Sequence, residues 1–552
     1  MDESALFWKA LARPRLLGLA LALVAFQQSL APSLLVRDWY FQGVVSGVAV
    51  AVGYGIGAGV TRLVAWGVRR SSWTPPRLTR RTDQRLRLGV LVALVGLVAL
   101  MSRHAVAQHR WTWERLDHSP SSSWLVYAGT IGVTLLVAGL LLAVGLAVAW
   151  LRRSTARAWG RVLPRWIAGA MATVLVAWAL ASALNAWVYE RTLDGLNASF
   201  TLSDLEIEDG VTAPESMLRS TGPASEVAWE EVGDEGRRFL TRGPSVERLQ
   251  EFRSDGEPAA VEPVRVFVGR ATTSDPEEQA GLALEEMERF DAFDRSAILV
   301  VVPTGTGWVN EQIVQPLEYL YGGDVATVSV QYSHLPSPLA FLTESHAAGD
   351  AGAALVDAVR ERIQQEPEAE RPRLLVAGES LGSFGGGRAY ASLGDLLADA
   401  DASLWVGPPA TMHLRREAEQ QRAPGSLQIK PELGPEVLFA NRASDITGHP
   451  RSVFLQQADD PIVWWDWPVL WEEPDWLREP LDPAVNPDME WYPVTTFLNL
   501  AVDMAVSNAF EEEQGHMYGT QPTLAWAAML QPDGWDDERV AALRTTLAGV
   551  HR

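Results

Sequence analysis

Before about residue 190 the chain returns repeatedly to apolar stretches near the length needed to cross a bilayer, which limits what this part can become. They fall at Leu16 to Val36, Val44 to Val68, Leu86 to Met101, Trp124 to Leu151 and Trp166 to Trp187. Roughly 20 apolar residues in a helix cross a hydrocarbon core of about 30 Å. Inside lipid a backbone must satisfy its own polar groups, so each stretch is expected to be a helix. The third is the shortest and needs Arg87 and Arg103 to reach toward the interfaces. A cleaved signal peptide is the alternative for the first, but no clear small-residue cleavage site follows it and four further spans do.

Basic residues give this bundle a direction. Lys9, Arg13 and Arg15 precede the first stretch, Arg69, Arg70, Arg77, Arg80, Arg81, Arg85 and Arg87 lie between or edge the second and third, and Arg152, Arg153, Arg157, Arg161 and Arg165 follow the fourth. Cytoplasmic loops are enriched in Lys and Arg, so five spans would place everything after Trp187 outside the cytoplasm. Gly43, Gly47, Gly53, Gly55, Gly57 and Gly59 form a small-residue stripe on the second span, read as a helix-packing surface. Few ionisable residues fall within the spans, which disfavours a transporter and suits an anchor or a platform for lipid access.

The remainder has a different composition. The net charge of −22 belongs almost wholly to residues after about Asn197, which argues against nucleic acid as a partner and against electrostatic docking on anionic lipid. With no cysteine in 552 residues, disulfides, thiolate metal sites and cysteine nucleophiles are excluded. No histidine cluster has metal-ligand spacing and no cofactor is called for. Residues 191–263 read as an acidic juxtamembrane linker and irregular lead-in between a transmembrane domain (1–190) and a catalytic domain (264–552).

That last part alternates short apolar runs with helical stretches. Strands are expected at Val264 to Gly269, Ala297 to Val302, Ala326 to Tyr332, Arg373 to Ala377, Ala402 to Val406, Val437 to Ala440 and Ser452 to Gln457. Helices are expected at Glu277 to Phe290, Ala347 to Gln365, Phe384 to Leu397 and Val494 to Phe510. Such alternation predicts a mostly parallel sheet covered on both faces, with any active site at the carboxyl ends of its strands. The expected architecture is therefore an α-helical transmembrane bundle followed by an α/β domain of the hydrolase type.

One junction carries most of the chemistry. The run Leu374-Leu375-Val376-Ala377-Gly378-Glu379-Ser380-Leu381-Gly382 takes a strand through G-x-S-x-G into a helix. The five-residue pattern alone is weak; its strand-turn-helix context makes it a nucleophile elbow that would display Ser380 for attack. The chain order Ser, acid, His then requires two partners downstream. Asp460, before Pro461 in an acidic turn, is the preferred acid, with Asp459 as the substitute and a simple helix cap as the bland reading. Of His413, His449, His516 and His551, only the last two follow the acid, and His551 is the penultimate residue. His516 is therefore the expected base. The oxyanion donors would be the Leu381 amide and the backbone of Thr304 to Thr306, Thr304 first. A phosphate loop is the rival reading of Thr304-Gly305-Thr306-Gly307, but no Gly-Lys-Ser/Thr follows it. Trp464, Trp465, Trp467, Trp471, Trp476 and Trp491 crowd the segment after the acid, as core, acyl pocket or, if exposed, membrane interface.

Several motifs together resemble a known family. They are Pro32-Ser33-Leu34-Leu35, Gln42-Gly43-Val44-Val45-Ser46-Gly47, Gly53-Tyr54-Gly55, Pro303-Thr304-Gly305-Thr306-Gly307-Trp308, Gln331-Tyr332-Ser333, Leu335-Pro336-Ser337, Gly378-Glu379-Ser380-Leu381-Gly382-Ser383 and Asp460-Pro461-Ile462-Val463-Trp464-Trp465. This set resembles an actinobacterial-type family of membrane-attached α/β-hydrolases, from about Pro14 to the C-terminal helix. The resemblance implies a serine hydrolase fold and supplies no substrate. Around the base the family's pattern is Gly-His-Gly-His followed two residues on by Tyr; Gln514 stands here at the first histidine position, which leaves His516 as the sole candidate.

The expectation is a membrane-embedded serine hydrolase acting on an ester of a lipid or acylated envelope molecule. Water as acceptor makes it an esterase or lipase, and a second alcohol makes it an acyltransferase. A non-catalytic sensor or scaffold that keeps the hydrolase shape is the alternative from another class. Oligomeric state is left open.

Overall fold

The structure is a computed structural model that describes residues 16–70, 88–89, 92, 95–96, 109–117, 124–183, 199–207 and 210–550. The chain divides into two compact units. One comprises Met1–Leu193 with Trp467–Val506, the other Asp194–Asp466 with Ser507–Arg552. This differs from a division into consecutive segments, because residues 467–506 leave the hydrolase unit between the expected acid and base.

Among the described residues, the first unit contains three helices long and apolar enough to cross a membrane, within Trp39–Val64, Trp124–Trp159 and Arg165–Ala183. The expected first span is helical only over Leu16–Ser29. Pro32, with no backbone N–H to donate and a fixed φ, sits in the turn that follows, so the helix does not reach Val36. The expected third span and the basic loop before it lie almost wholly outside the described residues, and so does His551.

The glycine stripe works by close approach, on two faces. A Cβ on Gly43 or Gly47 would meet Val133 or Val137 at 2.7 and 2.6 Å, so this face takes the Trp124–Trp159 helix. A Cβ on Gly53 or Gly57 would meet the Leu21 or Leu17 carbonyl oxygen at 2.5 Å, so the other takes the Leu16–Ser29 helix. The residue pairing makes the first contact parallel and the second antiparallel. Gly55 and Gly59 face open space.

The second unit is built on a seven-stranded, all-parallel sheet: β1 (Val264–Val268), β2 (Ala297–Val302), β3 (Val325–Val330), β4 (Arg373–Glu379), β5 (Ala402–Val406), β6 (Val437–Ala440) and β7 (Ser452–Leu455). Its order is β1-β3-β2-β4-β5-β7-β6. Strands of a parallel sheet are buried on both faces and read as continuous apolar runs, which is why all seven were legible. Every residue of β1, β2, β3 and β5 is buried. From β2 the chain turns to one side toward β3, and from β4 to the other toward β5. The crevice for chemistry therefore opens at the carboxyl ends of β2 and β4.

The expected linker contributes structure to this unit. The helix Gly233–Thr241 and its flank bury Val232, Phe239 and Leu240 in the main core, and Ser220 N–H bonds the Arg265 carbonyl on edge strand β1. The helix expected over Phe384 to Leu397 is two, Leu381–Gly387 and Leu393–Asp399: Gly385, Gly386 and Gly387 weaken it, and Ser392 caps the second piece by accepting from Asp395 N–H.

Candidate active site

Ser380 stands where β4 gives way to the helix Leu381–Gly387, with φ 54° and ψ −120°. A non-glycine residue there carries strain of about 1–3 kcal/mol. Its surroundings hold it in place. Ser380 N–H donates to the Val406 carbonyl at 2.8 Å, and Ser383 Oγ donates to the Gly378 carbonyl at 2.7 Å. A Cβ on Gly378 would lie 2.4 Å from Gly382 atoms, and one on Gly382 would lie 2.2 Å from the Val302 carbonyl oxygen. The turn therefore packs on the end of β2, whose Val302 is in register with Gly378.

The base comes from a loop that joins no strand. His516 N–H donates to the Ser507 carbonyl at 3.1 Å, and its ring lies on Gly407, where a Cβ would come within 2.4 Å of Cε1. Gly407 follows Val406, the residue that receives the Ser380 amide, so the imidazole lies one residue along from the elbow's partner. Nδ1 is 2.6 Å from Asp460 Oδ2. Donation to a carboxylate fixes the proton on Nδ1 and leaves Nε2 with its lone pair. Nε2 is buried and has no hydrogen-bond partner among the described residues, as a proton acceptor awaiting a hydroxyl would be.

Asp460 uses both carboxylate oxygens. Its Oδ1 accepts from Ile462 N–H at 2.9 Å, capping the short helix Pro461–Trp464, while Oδ2 faces His516. The carboxylate on the imidazole is thus Asp460's rather than Asp459's. Tyr518 adds a partner that the spacing argument did not weigh. Its hydroxyl donates to Asp460 Oδ2 at 2.8 Å and accepts from Gln457 N–H at 3.0 Å. Burial, and then the Asp460 carboxylate, push the phenol's pKa well above its usual value, so it stays a donor.

The loop after β2 reaches the same crevice, but the expected donor is already committed. Thr304 N–H donates to the Trp308 carbonyl at 3.0 Å and Gly307 N–H to the Thr304 carbonyl at 2.9 Å, closing the turn. The donors that this loop can offer an oxyanion are the Gly305 and Thr306 amides. Leu381, first in its helix, has an amide with no intrahelical acceptor and suits the other position.

The model for an alpha/beta-hydrolase family matches residues 264–543, and the model for that family's N-terminus matches residues 30–244. The chain belongs to this α/β-hydrolase family. Searches of curated proteins and of solved structures returned no match.

Two polar groups, Gln331 of the Gln331-Tyr332-Ser333 motif and Asp204, support the loops of the hydrolase unit. Gln331, after β3, donates from Nε2 to the Thr306 carbonyl and to Asp204 Oδ2, both at 2.8 Å, and its Oε1 accepts from Arg270 N–H at 3.2 Å. Asp204 also accepts from Asp234 N–H at 3.0 Å and lies 2.7 Å from His334 Nδ1. The rigid amide of Gln331 therefore fixes the Thr306 carbonyl from outside the loop. Beside the nucleophile, Glu379 is buried and accepts from Asn310 Nδ2.

The tryptophans divide. Trp464, Trp465 and Trp476 are buried, with Trp464 Nε1 donating to the Ala458 carbonyl at 2.9 Å. Trp467 and Trp471 are exposed.

Proposed function

We propose that this protein is a membrane-bound serine hydrolase that cleaves or transfers the acyl group of an ester, with Ser380 as nucleophile, His516 as general base and acid, and Asp460 as its orienting carboxylate. The observation that carries the reading is a buried His516 imidazole whose Nδ1 faces Asp460, whose Nε2 has no hydrogen-bond partner among the described residues, and whose ring lies on Gly407 next to the acceptor of the strained Ser380's amide.

The reaction follows from that arrangement. Ser380 Oγ attacks the ester carbonyl while His516 Nε2 takes its proton, and Asp460 stabilises the imidazolium. The carbonyl oxygen becomes an oxyanion facing the Leu381 amide and an amide of the Gly305–Thr306 pair. Collapse breaks the bond to the alcohol, which leaves with the proton from His516. Water or a second alcohol, deprotonated in turn by His516, then releases the acyl group.

The long apolar helices support a substrate among lipids and acylated envelope molecules, and the charges at their ends support a working side. Arg70 ends one long helix, and Arg152, Arg153, Arg157, Arg161 and Arg165 end or follow the helix packed parallel to it. That end is assigned to the cytoplasm. His109 Nε2 lies 2.9 Å from the Leu30 carbonyl, at the opposite end. The chain then leaves the last span on the extracytoplasmic side.

Hydrolysis of a short p-nitrophenyl ester by the purified protein tests the chemistry: turnover lost in Ser380→Ala and His516→Ala supports the reading, and turnover retained in Ser380→Ala refutes it. A cysteine placed at Asn197 of this cysteine-free chain should react with an impermeant thiol reagent in intact cells; protection would reverse the assigned side.

A further inference from the structure

The segment 467–506 lies in the sequence between Asp460 and His516 but belongs to the unit of the apolar helices. Polar groups fasten it to that unit. Asp503 Oδ2 accepts from Ser33 Oγ and from Leu34 N–H at 3.1 Å and Leu35 N–H at 3.4 Å, while Arg37 Nε lies 3.7 Å from Asp503 Oδ1. Arg37 Nη1 donates to Asn499 Oδ1 at 3.1 Å, and Asn486 Nδ2 to Thr112 Oγ1 at 2.8 Å. Residues 33–37 form the turn before the helix Trp39–Arg70, which opens on Trp39 and Tyr40, both partly exposed. An aromatic pair at the start of a long apolar helix marks a membrane boundary. The segment is thus held at that boundary.

Trp467 and Trp471 are 58% and 63% exposed on this fastened segment. They are held there rather than swinging free: the Trp467 ring packs against Phe497 with centroids 5.3 Å apart and planes tilted by 32°, the Leu470 carbonyl accepts from Val494 N–H at 2.9 Å, and the Val469 carbonyl from Trp491 Nε1 at 2.9 Å. Large indoles fixed outside a protein core are costly in water and favoured at the headgroup level of a bilayer, where their rings are half apolar and half polar. The neighbouring charge narrows the partner. From Trp467 to Glu490 there are seven acidic residues (Glu472, Glu473, Asp475, Glu479, Asp482, Asp488, Glu490) and one basic residue (Arg478). Anionic lipid is therefore not the attraction.

We propose that Trp467 and Trp471 insert into the interface of the leaflet marked by Trp39 and Tyr40, through aromatic contact with zwitterionic or neutral lipid, so that the stretch of chain joining acid to base is seated on the bilayer. The inference rests on the membrane reading above and is independent of the chemistry at Ser380.

The absence of cysteine allows a direct test. Trp471→Cys, and separately Trp467→Cys should the first variant not fold, is labelled with a nitroxide in phosphatidylcholine vesicles, and its collision rates with oxygen and with a water-soluble nickel chelate are measured. Leu63→Cys, exposed on the long apolar helix, is the lipid reference, and Glu277→Cys, exposed on the hydrolase unit, the water reference. Oxygen access exceeding nickel access at position 471, toward the Leu63 value, is the expected result and needs no anionic lipid. Nickel access matching the Glu277 position, or access to neither reagent, overturns the proposal. If Leu63 itself reads as water, the membrane reading fails instead.

Discussion

The two units of this protein reach a defined structure by different means. In the hydrolase unit seven apolar strands each bury both faces, so the position of any one is set by dozens of contacts, and the site is assembled from loops at strand ends. In the membrane unit the helices are apolar nearly all round, and what distinguishes one contact from another is a few small residues and one buried ion pair. Position is redundant in the first and concentrated in the second. His516 follows chain that belongs to the second unit.

His516→Ala removes the proton acceptor and should lower kcat on an ester by about 10⁴-fold or more while leaving the melting transition of the hydrolase unit unchanged. A steady-state assay with calorimetry checks it. In the membrane unit, Asp503→Ala leaves Arg37 buried without its carboxylate and removes the acceptor of Ser33, Leu34 and Leu35, a loss of about 3–5 kcal/mol. Thermal unfolding in detergent should show the membrane unit melting earlier; an unchanged transition would mean that the pair does not fasten the segment.

Gln331→Ala addresses the hydrolase unit's support of its oxyanion loop. It unpairs the Thr306 carbonyl and should cut kcat about 10- to 100-fold with KM little changed, short of the ~10²–10³ for deleting an oxyanion donor outright. Equal falls in kcat and stability with a raised KM would make Gln331 merely structural. Gly47→Val, at a face that a Cβ would enter, should cost the membrane unit about 1–3 kcal/mol, whereas Gly55→Val, facing open space, should cost little. The smallest effect is expected for Tyr518→Phe, which removes one of three donors to Asp460 and should reduce kcat about tenfold, corresponding to ~1–1.5 kcal/mol for one hydrogen bond.

What could be read from the sequence follows the same divide. All seven strands were legible, because burial on both faces leaves an apolar run whatever the surroundings. Ser380, Asp460 and His516 are the candidates that an elbow pattern and chain order mark, and the geometry brings the last two together across 56 positions. The helix Glu311–Leu320 was missed: Pro316 lies inside it, and its Glu311 and Glu318 are buried against Arg265, so it shows no polar face. Thr304 was chosen as a donor because its loop follows β2, but which amide a turn leaves free depends on its internal hydrogen bonds. Asp204 meets Gln331 across 127 residues, and Asp503 meets Ser33 across 470; no periodicity or local motif announces such pairs. For residues 467–506 the tryptophan crowding was a compositional signal, but it left core, acyl pocket and membrane interface open and did not assign the segment to the unit of apolar helices.

The central claim is that Ser380 is an activated nucleophile. Reaction of the membrane-embedded protein with a fluorophosphonate, followed by peptide mapping, tests it most directly. The account predicts one adduct, on the peptide containing Gly378-Glu379-Ser380-Leu381-Gly382, absent in Ser380→Ala and formed far more slowly in His516→Ala. An adduct on a different serine, or equal labelling of wild type and Ser380→Ala, would contradict it.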